Sequence, residues 1–223
     1  LKGYRVLYID LDAQGNLTFS MGGGAAALST LEVLTGTATA EEAIRRTANG
    51  DIIPASPALS GADSLITTTG KEYRLKEALE PLHGSYDYIV IDTPPALGIL
   101  TVNALTACTG AIIPAQADAY SLQGIAMLGQ TVDTVRKYCN RALTIKGIVL
   151  TRYNSRAVLS RDMAELISNT AAQLHTKLYS STIRECTALK EAQAVQDNIF
   201  AYAPRSNAAA DYRDLVAEII EEE

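Results

Sequence analysis

The sequence predicts an α/β protein with a largely parallel sheet and helices on both of its faces. Short β-branched apolar runs alternate with stretches of helical length from one end of the chain to the other. Two of the runs, Arg5–Asp10 and Tyr86–Asp92, are apolar almost throughout, as strands buried on both faces are. Each delivers an acid to its C-terminal end, where open parallel sheets bind ligands.

The first strand, Arg5–Asp10, stops at two carboxylates, Asp10 and Asp12, and breaks into a polar turn at Gln14, Gly15 and Asn16. Gly22–Ala27 reads as a loop, followed by helices at Leu28–Leu34 and Ala40–Arg46 and a strand at Ile52–Ala55. Helix Lys71–Leu82 leads into strand Tyr86–Asp92, which ends in a turn fixed by Pro94 and Pro95. Beyond it come helix Ile99–Ala107, strand Gly110–Pro114, helix Leu122–Tyr138, strand Ile145–Thr151 and helix Val158–His175. Strand Leu178–Ile183, helix Ala188–Val195, strand Asn198–Ala201 and helix Ala208–Glu222 complete the pattern. No internal repeat or low-complexity segment interrupts it. Two strand-end acids followed by such turns read as a nucleotide-phosphate and Mg²⁺ site. Carboxylates this close repel unless a cation sits between them.

At 223 residues and 48% apolar, the chain is long enough for one well-buried core. It has no run of eighteen apolar residues and no cleavable signal pattern, which makes a cytoplasmic protein the default expectation. Cys108, Cys139 and Cys186 are odd in number and widely spaced, fitting reduced thiols better than disulfides or a zinc site. Only His83 and His175 are present, so carboxylates must carry any acid–base chemistry. The net charge is −6, but residues 134–190 hold ten Lys/Arg against three Asp/Glu, leaving +7 there and −13 elsewhere. Such asymmetry fits a nucleic-acid face or an ordinary solvated surface equally well.

The blocks Asp10-Leu-Asp12-Ala-Gln-Gly-Asn16, Ile91-Asp92-Thr-Pro-Pro95 and Asn103-Ala-Leu-Thr-Ala107 resemble the ParA/Soj branch of the deviant Walker P-loop ATPases, relatives of MinD. The resemblance continues through Ile113-Pro-Ala-Gln116, Ser121-Leu-Gln-Gly124 and Glu191-Ala192 to Ala209-Ala-Asp-Tyr212, and so covers nearly the whole chain. It implies a three-layer α/β/α P-loop NTPase fold. It also implies a strand, a Gly-rich phosphate loop and a helix ahead of the Asp-x-Asp strand. No Gly-x-x-x-x-Gly-Lys-Ser/Thr occurs here, and Gly22, Gly23 and Gly24 lack the Lys and Ser/Thr of such a loop. The expectation is a single ATPase domain over residues 1–223 whose first strand–loop–helix unit, roughly thirty residues, is missing. A natural pseudo-ATPase is the competing expectation.

By resemblance, Asp92 is the acid that holds Mg²⁺ through a water, with Asp10 nearer the metal as a supporting group. Thr93, Pro94 and Pro95 form the switch that senses the γ-phosphate. Asp12 orients the attacking water; on its own residues it could equally start an Asx turn into Gln14 and Gly15. Thr151, Arg152, Ile183 and Arg184 are expected around the nucleotide. Asp118 and Tyr120 are expected to face a second subunit in an ATP-sandwich homodimer, although in isolation they read as a helix entry that Ser121 could cap. Arg156 matches a family position assigned to nonspecific DNA binding, with Arg184 and Lys190 close by. Two arginines that the family carries near them are Glu185 and Ala188 here. The implied protein uses ATP and Mg²⁺, binds nonspecific duplex DNA, works with a ParB-like partner and stays at the nucleoid in the cytoplasm. Its acidic C-terminus disfavours membrane targeting. A same-fold ATPase positioning a non-DNA cargo, and a metabolic P-loop enzyme, are the alternatives.

Overall fold

The computed structural model describes residues 3–24 and 27–221. It divides into two compact units, one of residues 1–109 and 134–142, the other of residues 110–133 and 143–223.

The first unit holds β1 (Val6–Asp10), α1 (Asn16–Ser20), α2 (Thr30–Thr35), α3 (Ala40–Ala43), β2 (Arg45–Thr47) and β3 (Gly50–Ile53). It continues through α4 (Ala62–Leu65), α5 (Arg74–Leu79), β4 (Tyr88–Asp92) and α6 (Ile99–Ala107). Its strands run in the order β2-β3-β1-β4. β1 pairs parallel with β3 and β4, and β2 returns antiparallel on β3. The β1–β4 register is locked at its start, where the Arg5 guanidinium and backbone N–H both donate to Asp87, at 2.9 and 2.7 Å. Five residues on, the same register sets Asp10 beside Asp92. Leu7, Ile9, Leu11 and Ile53 pack with Leu34, Leu75 and Ile99 into one core. The short helices start on strong caps: Ser29 and Glu32 form a reciprocal capping box at α2, and Thr39 and Glu42 do so at α3.

The second unit holds β5 (Gly110–Ala115) and β6 (Thr144–Leu150), paired parallel. Helix α7 (Ala119–Tyr138) begins in this unit and its last turns belong to the first. α8 (Val158–Gln173), α9 (Thr187–Ala194), α10 (Ile199–Tyr202) and α11 (Asn207–Ile220) follow. Val149, Tyr179, Ile183 and Leu215 form one core cluster, and Ala192, Ile199, Ala208 and Ala209 another.

Four expected elements differ. Helix Lys71–Leu82 is α-helical only over Arg74–Leu79, with 3₁₀ turns at Lys71–Tyr73 and Glu80–Leu82. Asn198–Ala201 is not a strand: the Asn198 side chain accepts the Ala201 N–H at 2.9 Å and starts α10. Helix Ala40–Arg46 stops at Ala43, because Ile44 turns extended and Arg45–Thr47 closes a hairpin onto Gly50–Ile53. Leu178–Ile183 is bridged only at its ends, Leu178 to Ile148 of β6 and Ile183 to Thr151 just past it. Between them the Ser180 and Ser181 N–H groups turn away from the sheet and donate to the Glu218 carboxylate, both at 2.9 Å. The end of the expected helix at Glu222 and the Ala25–Ala26 part of the loop lie outside the described residues.

Candidate functional site

β1 and β4 end side by side, and their last residues build the site. The ladder runs one step past the strands, with the Leu11 N–H donating to the Asp92 carbonyl at 2.9 Å. Asp10 is fully buried and fully engaged by protein. Its Oδ1 accepts the Asp12 N–H at 3.1 Å, and its Oδ2 accepts the Thr18 N–H at 2.8 Å and the Thr18 hydroxyl at 2.7 Å. The Thr18 hydroxyl in turn accepts the Ala55 N–H at 2.9 Å, tying α1 to the chain beyond β3.

Asp12 is half-buried and opens a turn. Its Oδ1 accepts the Gln14 N–H at 3.0 Å, its carbonyl accepts the Gly15 N–H at 2.9 Å, and Gly15 takes a left-handed φ of 64° before α1 begins. Among the described residues, no donor meets the other carboxylate oxygen, Oδ2. The Asx turn and a free oxygen therefore coexist on one side chain.

Asp92 keeps an open face, yet protein atoms crowd its carboxyl. That desolvation, and then the charges of Asp10 and Asp12, push it above the ordinary carboxylate range, against a smaller opposing bond from the Thr93 N–H. The three acids are thus one electrostatic group. Among the described residues no set of three His, Cys, Asp or Glu side chains is arranged to hold a metal by itself. This donor chemistry fits Mg²⁺, which is commonly bound by one or two carboxylates, waters and substrate phosphates rather than by an all-protein cage.

Thr93 and Pro95 are exposed and Pro94 is half-buried, in the turn between β4 and α6. The turn is anchored at its far end. Asp63 accepts the Ile99 N–H at 3.1 Å, and the Thr101 hydroxyl donates to the Ala96 carbonyl at 2.7 Å. Deeper in α6, the fully buried Asn103 accepts the Leu75 N–H at 3.0 Å and donates to the Lys71 carbonyl at 2.9 Å.

The remaining expected residues lie in the second unit. Thr151 and Ile183 are brought together as a parallel bridge, and the Tyr153 N–H donates to the Ile183 carbonyl. Arg152 and Lys190 both pair with Glu185, at 3.1 and 3.2 Å. Arg184 is turned onto Asp211, which accepts from its backbone N–H and its guanidinium while only 8% exposed. Arg156 is exposed. Asp118, rather than Ser121, caps α7, its Oδ1 accepting the Ser121 N–H at 2.7 Å, and Tyr120 beside it is 87% exposed. Thr18 and Asp63 escaped the residue-level reading, and Asp211 entered it only within the block Ala209-Ala-Asp-Tyr212, with no role attached.

A parallel sheet with acids at adjacent strand ends, one of them beside a proline-fixed turn, is the architecture of an α/β nucleoside-triphosphatase. A family model described as an AAA domain matches residues 1–145. The chain is 39% identical over 222 residues to the sporulation initiation inhibitor protein Soj of Bacillus subtilis, covering 97% of this chain and 87% of that protein. It is 36% identical over 228 residues to the chromosome partitioning protein ParA of Caulobacter vibrioides, covering 99% and 84%. Among solved structures it is similar to a cobyrinic acid a,c-diamide synthase from Mycobacterium smegmatis with bound ADP and magnesium. That pair shares 33% identity and a TM-score of 0.76, over 92% of this chain and 85% of the other. It also matches apo McdA of Cyanothece at a TM-score of 0.87 and 23% identity, over 98% and 88%, a likeness of fold. The fold is that of the P-loop NTPases. The chain belongs to the ParA/Soj family of partition ATPases.

Proposed function

We propose that the protein is an ATP-dependent partition ATPase, one ATPase domain that dimerises on ATP, binds duplex DNA nonspecifically and answers to a ParB-like partner at the nucleoid. The observation that carries the hydrolytic part is the pairing of a free Asp12 Oδ2 with an Asp92 carboxylate whose charge is disfavoured until a cation relieves it. Mg²⁺-ATP, when bound, supplies the phosphoryl group and neutralises charge as it transfers. Asp92 is the residue to hold the metal, through a water. Asp12 Oδ2 accepts a hydrogen bond from the attacking water and orients it, while Oδ1 stays pinned in the turn. Thr93, Pro94 and Pro95 follow the state of the phosphate. Thr151, Arg152, Ile183 and Arg184 surround the nucleotide, and Asp118 and Tyr120 meet the second copy. Arg156 makes the DNA contact, supported by Lys190.

Phosphate binding also needs a cradle of backbone N–H groups and lysine. Residues 1–223 carry no Gly-x-x-x-x-Gly-Lys-Ser/Thr that would supply such a cradle, and equilibrium ATP binding measures whether the protein has one. In the full-length protein, Asp12→Ala should bind ATP and stay dimeric without hydrolysing it, whereas Asp92→Ala should lose Mg²⁺-dependent ATP binding. Wild-type turnover in Asp12→Ala would end the assignment. No helix among the described residues is long and apolar enough to cross a membrane, and the cytoplasm is the compartment we propose.

A second reading, an amide-forming metabolic enzyme, is favoured by the 35% identity to a cobyrinic acid a,c-diamide synthase structure over 87% of this chain. Stimulation of ATP turnover by DNA and a ParB-like protein supports partition. Turnover that depends instead on a small carboxylic acid and an amide donor supports the synthase.

A further inference from the structure

We propose that Asp10 and Thr18 act together as a positioning pair that sets the geometry of Asp12, and that Asp10 is not a metal ligand. This deepens the hydrolytic reading above and rests on it. Asp10 has no accessible surface, and three protein donors already occupy its two oxygens. A metal reaching it would have to displace those donors inside the core, where each lost bond leaves a buried polar group unpaired. Its carbonyl is held as well, by the fully buried Thr30 hydroxyl at 2.8 Å. What this immobilised side chain does is grip the backbone N–H of Asp12 with one oxygen and the first turn of α1 with the other. The turn carrying Asp12 lies between those two grips, so neither of its ends can shift without breaking a bond to Asp10.

Thr18 closes the latch because one hydroxyl serves two elements: it donates to Asp10 and accepts from Ala55. The packing over it explains Gly23. A Cβ at that position would stand 3.0 Å from the Thr18 Cγ2 and 3.1 Å from its carbonyl oxygen, which itself accepts the Gly23 N–H at 2.8 Å. Glycine lets the chain cross Thr18 this closely without Thr18 having to give way.

Thr18→Val keeps the shape and removes the hydroxyl. In the full-length protein it should lower kcat for ATP by about 10- to 100-fold, the effect of a sub-ångström to ångström misplacement of a catalytic group. KM for ATP and the Mg²⁺ half-saturation should stay within twofold. Thr18→Ser, which restores the hydroxyl, should recover most of the rate, and Gly23→Ala should reproduce a milder loss. Asp10→Asn should likewise cut kcat while leaving the Mg²⁺ half-saturation in place, unlike Asp92→Ala. Amide hydrogen exchange gives a readout independent of turnover: the Asp12 N–H should lose protection in Thr18→Val and Asp10→Asn and regain it in Thr18→Ser. A Mg²⁺ half-saturation moved as far by Asp10→Asn as by Asp92→Ala, or unchanged Asp12 exchange and kcat in Thr18→Val, would overturn the inference. Absence of ATP turnover in the wild type would instead sink the hydrolytic reading, and the exchange data would still decide whether the latch exists.

Discussion

Asp92 works against the stability of the metal-free protein. Its carboxyl titrates above the ordinary value, so the folded state holds the proton more tightly than the unfolded state does. As pH rises through that raised value, the ionised group destabilises the fold; as pH falls below the ordinary carboxylate range, the penalty disappears. Asp92→Asn should therefore raise Tm at pH 7 in the absence of nucleotide and metal, with the gain vanishing towards pH 3. The same variant should fail to bind Mg²⁺-ATP. Calorimetric scans at the two pH values check the first half and equilibrium binding the second. Arg184 makes the opposite case, since it satisfies a nearly buried partner. Arg184→Ala strands Asp211 and should lose about 2 kcal/mol or more in a urea titration, within the range for large single-site losses. A DNA-binding test that neutralises Arg184 would thus report unfolding as well as contact. Arg156→Ala is the cleaner probe.

At the scale of elements, α6 is fastened by one side chain. Asn103 bridges the 3₁₀ turn Lys71–Tyr73, the start of α5 and its own helix. Asn103→Leu matches its size but leaves the Leu75 N–H and Lys71 carbonyl unpaired, and should destabilise by about 2–4 kcal/mol in denaturant unfolding. Glu218 does similar work between α11 and the segment beside β6. Although partial burial opposes it, bonds from Ser180 and Ser181 bring its carboxyl down to about 2. Its contribution is complete above the ordinary Glu value, near pH 4.3, and is lost as pH falls from there towards 2. Glu218→Gln should be less stable than wild type at pH 7, and the gap should close as pH falls across that window, because only the wild type loses an ionised partner for Ser180 and Ser181. Much of this level was legible in the sequence. The strands ending in Asp10 and Asp92, and α6 to the residue, follow from apolar runs closed by turns and breakers. The losses at Ser180–Ser181 and Asn198 came from single side chains that capture backbone N–H groups, Glu218 from far along the chain and Asn198 within its own turn. Apolar patterning carries no trace of either. The acids of the candidate site were likewise legible because strand ends announce them, whereas Thr18 was not, since nothing local distinguishes a threonine that bonds eight residues back.

Across the whole molecule, charge is unevenly spent: +7 over residues 134–190 against −13 elsewhere. Several of those cations are nonetheless occupied, Arg152 and Lys190 by Glu185 and Arg184 by Asp211. Nonspecific DNA binding by the proposed ATP-bound dimer should accordingly be weak, with a shallow salt dependence for so basic a segment. Arg156→Ala should flatten the log–log salt slope by about one unit per phosphate contact removed. Gel-shift titrations across salt measure it, and no binding even at low salt would move cargo positioning ahead of DNA segregation.

The open flank of β4 carries one more consequence. Among the described residues β4 is paired on one side only, by β1, and its Val90 is 46% exposed. A β-branched strand at the end of a sheet is a template for another strand, and Ile89–Ile91 offer no charged or proline residue to discourage one. At high concentration this edge is where a strand from a second copy would add to the sheet, and intermolecular growth would start there.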